Sequence, residues 1–224
     1  MELTPLQEKL IQEFARTPLV NQFYFTGGTL LSARYLHHRN SLDLDFFTTT
    51  QFPLHAIQPH VLALAAKTRA TLGEMRHIAD RYEWEIDGMG EHTKIEFVWY
   101  DFKPLKPHLI WKGIQIDSIE DIAANKVMAL LDRHEPKDIF DLYYILQEQT
   151  WEPLVPIHLM KEKFGLTISE HTFLGDAERA LKRLDAIQGL LLTKNPEEQS
   201  KLFTTIHTYF DRRAQEYLNR QWET

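Results

Sequence analysis

The sequence predicts an α/β (α+β) first half followed by an α-helical second half. Two observations carry this. Strand formers with period-two alternation and Gly turns crowd residues 23 to 116, and from residue 118 onward apolar residues recur at helical spacing between proline breaks. The boundary is placed at residue 117, giving domains 1–117 and 118–224 with no long flexible linker between them.

Residues 5 to 17 read as a helix with Leu6, Leu10, Ile11 and Phe14 on one side. Phe23-Tyr24-Phe25 is a short buried strand that delivers Gly27 and Gly28. Thr29 to His37 is helical, Leu42 to Thr48 is a strand, and 54 to 69 is a second helix with Pro53 near its start. Strands follow at Leu72 to Ile78, Tyr82 to Ile86 and Thr93 to Tyr100, with turn signals at Asp87-Gly88 and Met89-Gly90. One more short strand is expected at Gly113 to Ile116. Ser118 with Asp121 has the form of a capping box, and helices are expected at 118–133, 137–149, 154–164, 170–191 and 197–221. Pro136, Pro153 and Pro196 mark helix starts or breaks.

Composition excludes several classes. There are no cysteines, which removes disulfides, thiolate zinc sites and cysteine nucleophiles. The eleven histidines show no HExxH or paired spacing, and no serine sits in a nucleophile elbow. The start of the chain lacks a signal-peptide pattern, and no apolar run approaches the roughly 20 residues that span a bilayer. A cytoplasmic protein is expected. The net charge of −7 argues against duplex DNA, whose binders are normally basic, and leaves room for RNA through a local basic patch.

Four constellations could carry chemistry. Gly27-Gly28-Thr29 lies between a strand and a helix, where bare backbone can approach a phosphate; two glycines alone would also make an ordinary tight turn. Asp43 and Asp45 are two apart in a strand, so they share a face, with Leu42, Leu44 and Phe46 on the other. Two carboxylates side by side in an apolar strand call for a cation between them, and hard oxygen ligands suit Mg²⁺. Lys94 and Glu96 share a strand face opposite Ile95, Phe97 and Trp99, and Glu96 could be a third carboxylate or the member of an ion pair. Lys126 and Arg133 lie two helical turns apart, and Lys137, Asp138 and Asp141 open the next helix. Those cations could hold nucleotide phosphates with the aspartates in support, or the group could be a salt-bridged helix hairpin.

Taken together these residues resemble the nucleotidyltransferase superfamily, and within it the AbiEii/AbiGii-type toxin family. The resemblance rests on Gly27-Gly28-Thr29, on His38 through Phe47, on Lys94-Ile95-Glu96, and on Lys126 through Asp141, and covers roughly residues 23 to 145. It implies a minimal nucleotidyltransferase core, a mixed sheet with flanking helices, followed by a helical C-terminal half. It implies a two-ion Mg²⁺ site on Asp43, Asp45 and Glu96. Gly27, Gly28 and Thr29 would meet the triphosphate, and Lys126, Arg133, Lys137, Asp138 and Asp141 would form further nucleotide-binding positions. Many superfamily members carry Gly-Ser where this chain has Gly28-Thr29, and Asp is common where it has Glu96. The implied activity is transfer of a nucleotide from an NTP to an acceptor such as tRNA, by a toxin that a separate antitoxin protein neutralises. Nucleotidylation of a protein and a non-catalytic nucleotide-binding module are the rival readings. Residues 150 to 224 carry no motif.

Overall fold

Pro5 fixes φ at the first turn of helix α1 (Pro5–Phe14), and Thr4 closes a reciprocal capping box with Gln7. The box serves the sheet as well. The Gln7 side-chain amide donates to the carbonyls of Ser41 and Leu42, both at 3.0 Å, and so anchors the chain just before Asp43. In the computed structural model, which describes residues 2–222, the chain divides into two compact units, Met1–Ser118 and Ile119–Thr224.

The first unit is built on one eight-stranded sheet. Its centre is β1 (Tyr24–Thr26), β2 (Asp43–Thr48) and β6 (Glu91–Trp99). β2 runs antiparallel to β1 and parallel to β6. β5 (Arg81–Gly88) forms a hairpin with β6 through Met89 and Gly90, whose φ values of 57° and 76° are what a two-residue hairpin turn requires. β3 (Thr71–Leu72) and β4 (Arg76–Ile78) both pair with β5; β7 (Leu109–Trp111) and β8 (Ile114–Ile116) complete the other edge beside β1. Phe14 of α1 stacks on Phe46 at 4.0 Å between ring centroids, and Phe46 stacks on Phe97 at 5.5 Å. The same buried face is backed by α3 (Leu54–Thr68) through Ile57, Val61 and Leu64. The opposite face of β2 and β6 therefore carries the charged residues.

Four local expectations are corrected. The strand expected over 72–78 is two pieces, β3 and β4, because Gly73 sits against β5: its N–H bonds the Glu85 carbonyl at 2.8 Å and the chain bows out before pairing again. The helix expected over 29–37 is α2 (Gly27–Leu30) running into a π-helical stretch, Leu31–Leu36. Four consecutive buried residues, Thr29 to Ser32, exceed the stripe a 3.6-residue turn can bury, and the wider turn accommodates them. β7 was not foreseen; Lys112 and Gly113, both with positive φ, turn it into β8.

The fourth correction is in the second unit. It comprises α4 (Ile119–Arg133), α5 (Pro136–Gln149), α6 (Leu154–Phe164), α7 (Glu170–Leu181) and α8 (Pro196–Trp222). The helix expected over 170–191 stops at Leu181 and resumes as a 3-10 segment, Leu184–Leu190. Leu184 and Ile187 are both buried, and three residues per turn is the geometry that points both inward. The core gathers Val127 and Leu130 of α4, Phe140 and Ile145 of α5, Met160, Phe173 and Phe210.

Candidate active site

β2 presents Asp43 and Asp45 on one face while Leu44 and Phe46, fully buried, fill the other. Leu42 does not join them. It lies before the strand begins and is exposed. Thr26 pairs with Asp45, so the glycine turn starts beside the second aspartate. Gly27 has φ +78°, and a Cβ there would lie 1.9 Å from Asp45 Oδ2. A Cβ on Gly28 would lie 2.7 Å from Arg39 Nη2 and 3.1 Å from Ser41 Oγ. Gly27 is required by its positive φ and the Asp45 carboxylate over it, whereas at Gly28 a Cβ would meet the flexible end of Arg39. Thr29 follows but is fully buried, and its hydroxyl, like that of Ser32, has no hydrogen-bond partner. The half-exposed surface of the turn is the backbone of Gly27 and Gly28.

The parallel register of β2 and β6 sets Lys94 beside Asp43 and Glu96 beside Asp45. The Lys94 ammonium bonds the Glu96 carboxylate and lies 3.9 Å from both Asp43 Oδ1 and Glu83 Oε2. Burial alone would lower the Lys94 pKa, but the bond to Glu96 and the charges of Asp43, Glu96 and Glu83 outweigh it, holding the lysine above its usual value and fully charged. Glu83 of β5 stands opposite Glu96, and both are buried. Arg81 reaches Glu96 at 3.3 Å and Glu83 at 3.4 Å, and Arg76 reaches Glu83 at 2.8 Å. Glu83, Arg81 and Arg39 were not singled out from the sequence. The alternation Arg81-Tyr82-Glu83-Trp84-Glu85 was a usable signal for the first two; Arg39 had none beyond its place in the His38–Phe47 run.

The donor chemistry fits a hard divalent cation. Asp43 and Asp45 offer two carboxylates on one face, and the space above Gly27 is already shaped by Asp45. Among the described residues, no three Asp, Glu or His side chains converge to hold a metal by themselves. Glu96 is beside the pair but engaged by Lys94 and Arg81. A cation at this face would have to be held by the two aspartates and completed by a ligand's own oxygens, as Mg²⁺ commonly is with phosphates.

The second unit holds the other expected group. Lys126 Nζ lies 2.8 Å from Asp138 Oδ1 and 2.6 Å from Asp141 Oδ2. Arg133 donates to both oxygens of Asp138, at 2.9 and 3.1 Å. Asp138 and Asp141 are fully buried and Lys126 nearly so. Burial pushes the Asp138 carboxyl up, but Lys126 and Arg133 together hold it below the usual carboxylate range. Lys126, Arg133, Asp138 and Asp141 are thus brought together as a salt-bridged hairpin of α4 and α5, with the Lys126 ammonium committed to two aspartates. Lys137 is half-exposed beside them in sequence.

Known proteins fit this picture. The chain is 24% identical to the uncharacterized protein aq_aa25 of Aquifex aeolicus over 223 residues, covering 95% of this chain and 96% of the relative. A candidate nucleotidyltransferase from H. pylori shares the fold with a TM-score of 0.60 at 19% identity, covering 95% of this chain and 94% of that one. JHP933 from Helicobacter pylori does so with a TM-score of 0.57 at 19% identity, covering 96% and 95%. Among the described residues no helix is long and apolar enough to cross a membrane. Residues 9–219 match the family described as nucleotidyl transferase AbiEii toxin, type IV toxin–antitoxin system. The chain therefore belongs to the AbiEii family and is a nucleotidyltransferase of the type IV toxin–antitoxin class.

Proposed function

We propose that the chain transfers a nucleotide from an NTP, with Mg²⁺, onto an RNA acceptor such as tRNA, in the cytoplasm, as a toxin neutralised by a separate antitoxin protein. The observation that carries this reading is the pairing of two aspartates on one strand face with a glycine turn that Asp45 and Arg39 approach closely. Asp43 and Asp45 would hold Mg²⁺, with Glu96 as the third carboxylate next to Asp45. Bound Mg²⁺ would neutralise triphosphate charge and favour departure of pyrophosphate.

The residues of the chain do the rest. Gly27 and Gly28 give the triphosphate close access to backbone N–H groups. The acceptor hydroxyl oxygen bonds to the α-phosphorus in line with the leaving group, the bond from that phosphorus to the bridging oxygen breaks, and pyrophosphate leaves. The hydroxyl proton goes to a carboxylate of the acid face. Positioning and charge neutralisation account for the rate. In the second unit, Lys126, Arg133, Asp138 and Asp141 act as a structural frame. The acidic balance of the chain favours a small, locally docked RNA surface over an extended one.

The test is transfer of label from each of the four α-labelled NTPs, with Mg²⁺, onto total tRNA and onto total protein. Label on tRNA that is lost in the Asp43→Ala/Asp45→Ala protein supports the proposal. Label on protein moves the acceptor to the rival class, and NTP binding with no label in either pool replaces catalysis with a binding module.

A further inference from the structure

The acid face carries more negative charge than a sheet tolerates unaided. Asp43, Asp45, Glu83 and Glu96 lie on one surface of three adjacent strands, and the register sets Glu83 directly opposite Glu96. Like charges in that relation repel, so a cation must lie among them. Arg81 and Arg76 serve the β5 side, through Glu83 and Glu96. Toward β2, Lys94 serves Asp43 and Glu96. Its ammonium bonds Glu96 and stands within 3.9 Å of Asp43 and of Glu83. It is also reachable, with 22% of its side chain exposed, whereas Glu83 and Glu96 are nearly closed off.

We propose that Lys94 is the resident counter-ion of the acid face, exchanged for a divalent cation when metal and nucleotide bind, and that its freed ammonium then contacts the nucleotide's phosphates. This rests on the nucleotidyl-transfer reading of the same face. The exchange follows from charge and reach. A divalent ion between Asp43 and Asp45 stands next to Lys94 in the β2–β6 register and repels it. Glu96 Oε1 is released from the lysine while Oε2 stays with Arg81, and that freed oxygen becomes available as the third carboxylate ligand. The lysine has a flexible four-carbon stem and a compact charge, which suits a group that must change partners; an arginine fork would hold Glu96 in one geometry. The arrangement also accounts for the absence of a ready-made three-carboxylate site among the described residues: the third ligand is kept by Lys94 until a cation comes for it.

The proposal predicts effects of opposite sign on two ligands. Mn²⁺ binding without nucleotide is measured by calorimetry and by paramagnetic broadening for wild type, Lys94→Met and Lys94→Arg. Binding of inorganic triphosphate in the presence of Mg²⁺ is measured on the same proteins. Lys94→Met should bind Mn²⁺ about tenfold more tightly, because a competing charge is gone, and inorganic triphosphate about tenfold more weakly, because a phosphate contact is gone. Lys94→Arg should bind triphosphate nearly as wild type does. Both affinities falling together would make Lys94 a structural residue, and neither moving would make it a bystander; either overturns the proposal. A Lys94→Met protein too unstable to test is replaced by Lys94→Gln, which also removes the charge and must show the same opposite shifts in Mn²⁺ and triphosphate affinity. Wild-type protein that binds neither probe would sink the nucleotidyl-transfer reading itself, and the role of Lys94 with it. Wild-type binding that the variants leave unchanged sinks only the role of Lys94.

Discussion

The two units solve the same electrostatic problem in opposite ways. Each gathers aspartates and basic side chains within a few ångströms. In the second unit the account closes: Asp138 and Asp141 are fully buried, and Lys126 and Arg133 meet them directly. In the first unit it stays open at Asp43, which is more than a third exposed and which Lys94 reaches only at 3.9 Å. A closed network leaves no charge for a ligand and holds helices in register. An open one, at a surface, draws a cation from outside. The difference separates the residues expected to set stability from those expected to set chemistry.

The sharpest way to break this contrast is to substitute one member of each group. Asp138→Ala strips Arg133 of its carboxylate and leaves the buried Lys126 with Asp141 alone, and should cost about 3 kcal/mol of stability in chemical denaturation. Asp43→Asn should leave the unfolding midpoint within about 0.5 kcal/mol of wild type while cutting transfer by about 10²–10³-fold. If Asp43→Asn destabilised as much as Asp138→Ala, the first unit would be a second structural rivet and the contrast would fail.

A smaller effect sharpens the geometry of the turn. Gly27→Ala places a methyl group on the Asp45 carboxylate at a positive φ. Strain of about 1–2 kcal/mol and displacement of Asp45 should lower transfer about tenfold or more, with NTP affinity reduced as well. Wild-type kinetics in Gly27→Ala would show that Asp45 is not held where its role requires.

The pH dependence comes next. The Asp138 carboxyl is held below its usual range by Lys126 and Arg133, although burial acts the other way. Its contribution is fully present above the unfolded carboxylate pKa of about 3.9 and is lost as pH falls through the lower folded value. Urea midpoints of wild type and Asp138→Asn should therefore converge on acidification below about pH 4 and differ most near neutrality. The smallest expected effect is that of Arg76→Ala. Arg76 is mostly exposed, so loss of its pairs with Glu83 and Glu85 should cost no more than about 1 kcal/mol in the same assay.

The legibility of the molecule followed the range of the interactions. The period of two over 42–48 was enough to set Asp43 and Asp45 against Leu44 and Phe46, because strand parity is local. Helical spacing placed Lys126 and Arg133 on one face for the same reason. What covers the two glycines was not readable: Asp45 and Arg39 come from residues well downstream, and only the folded sheet brings them over Gly27 and Gly28. Glu83 was missed because its meaning depends on the register of β5 against β6, which the Met89-Gly90 turn sets. The break at 182–183 was hidden because Leu184 and Ile187 continue an apolar pattern that a helix would also satisfy.

The register of β2 against β6 has a consequence for the time course of synthesis. Leu42 accepts a hydrogen bond from Thr93, 51 residues later, and the strands they introduce pair in parallel. Parallel pairing over such a separation must offset a large loop-closure entropy before it yields contacts, so it forms late in folding. A chain still on the ribosome with β6 inside the exit tunnel has Asp43 and Asp45 already made but lacks the strand that completes their surface. The acid face is assembled only after most of the first unit has emerged, so an unfinished copy lacks the surface on which transfer is proposed.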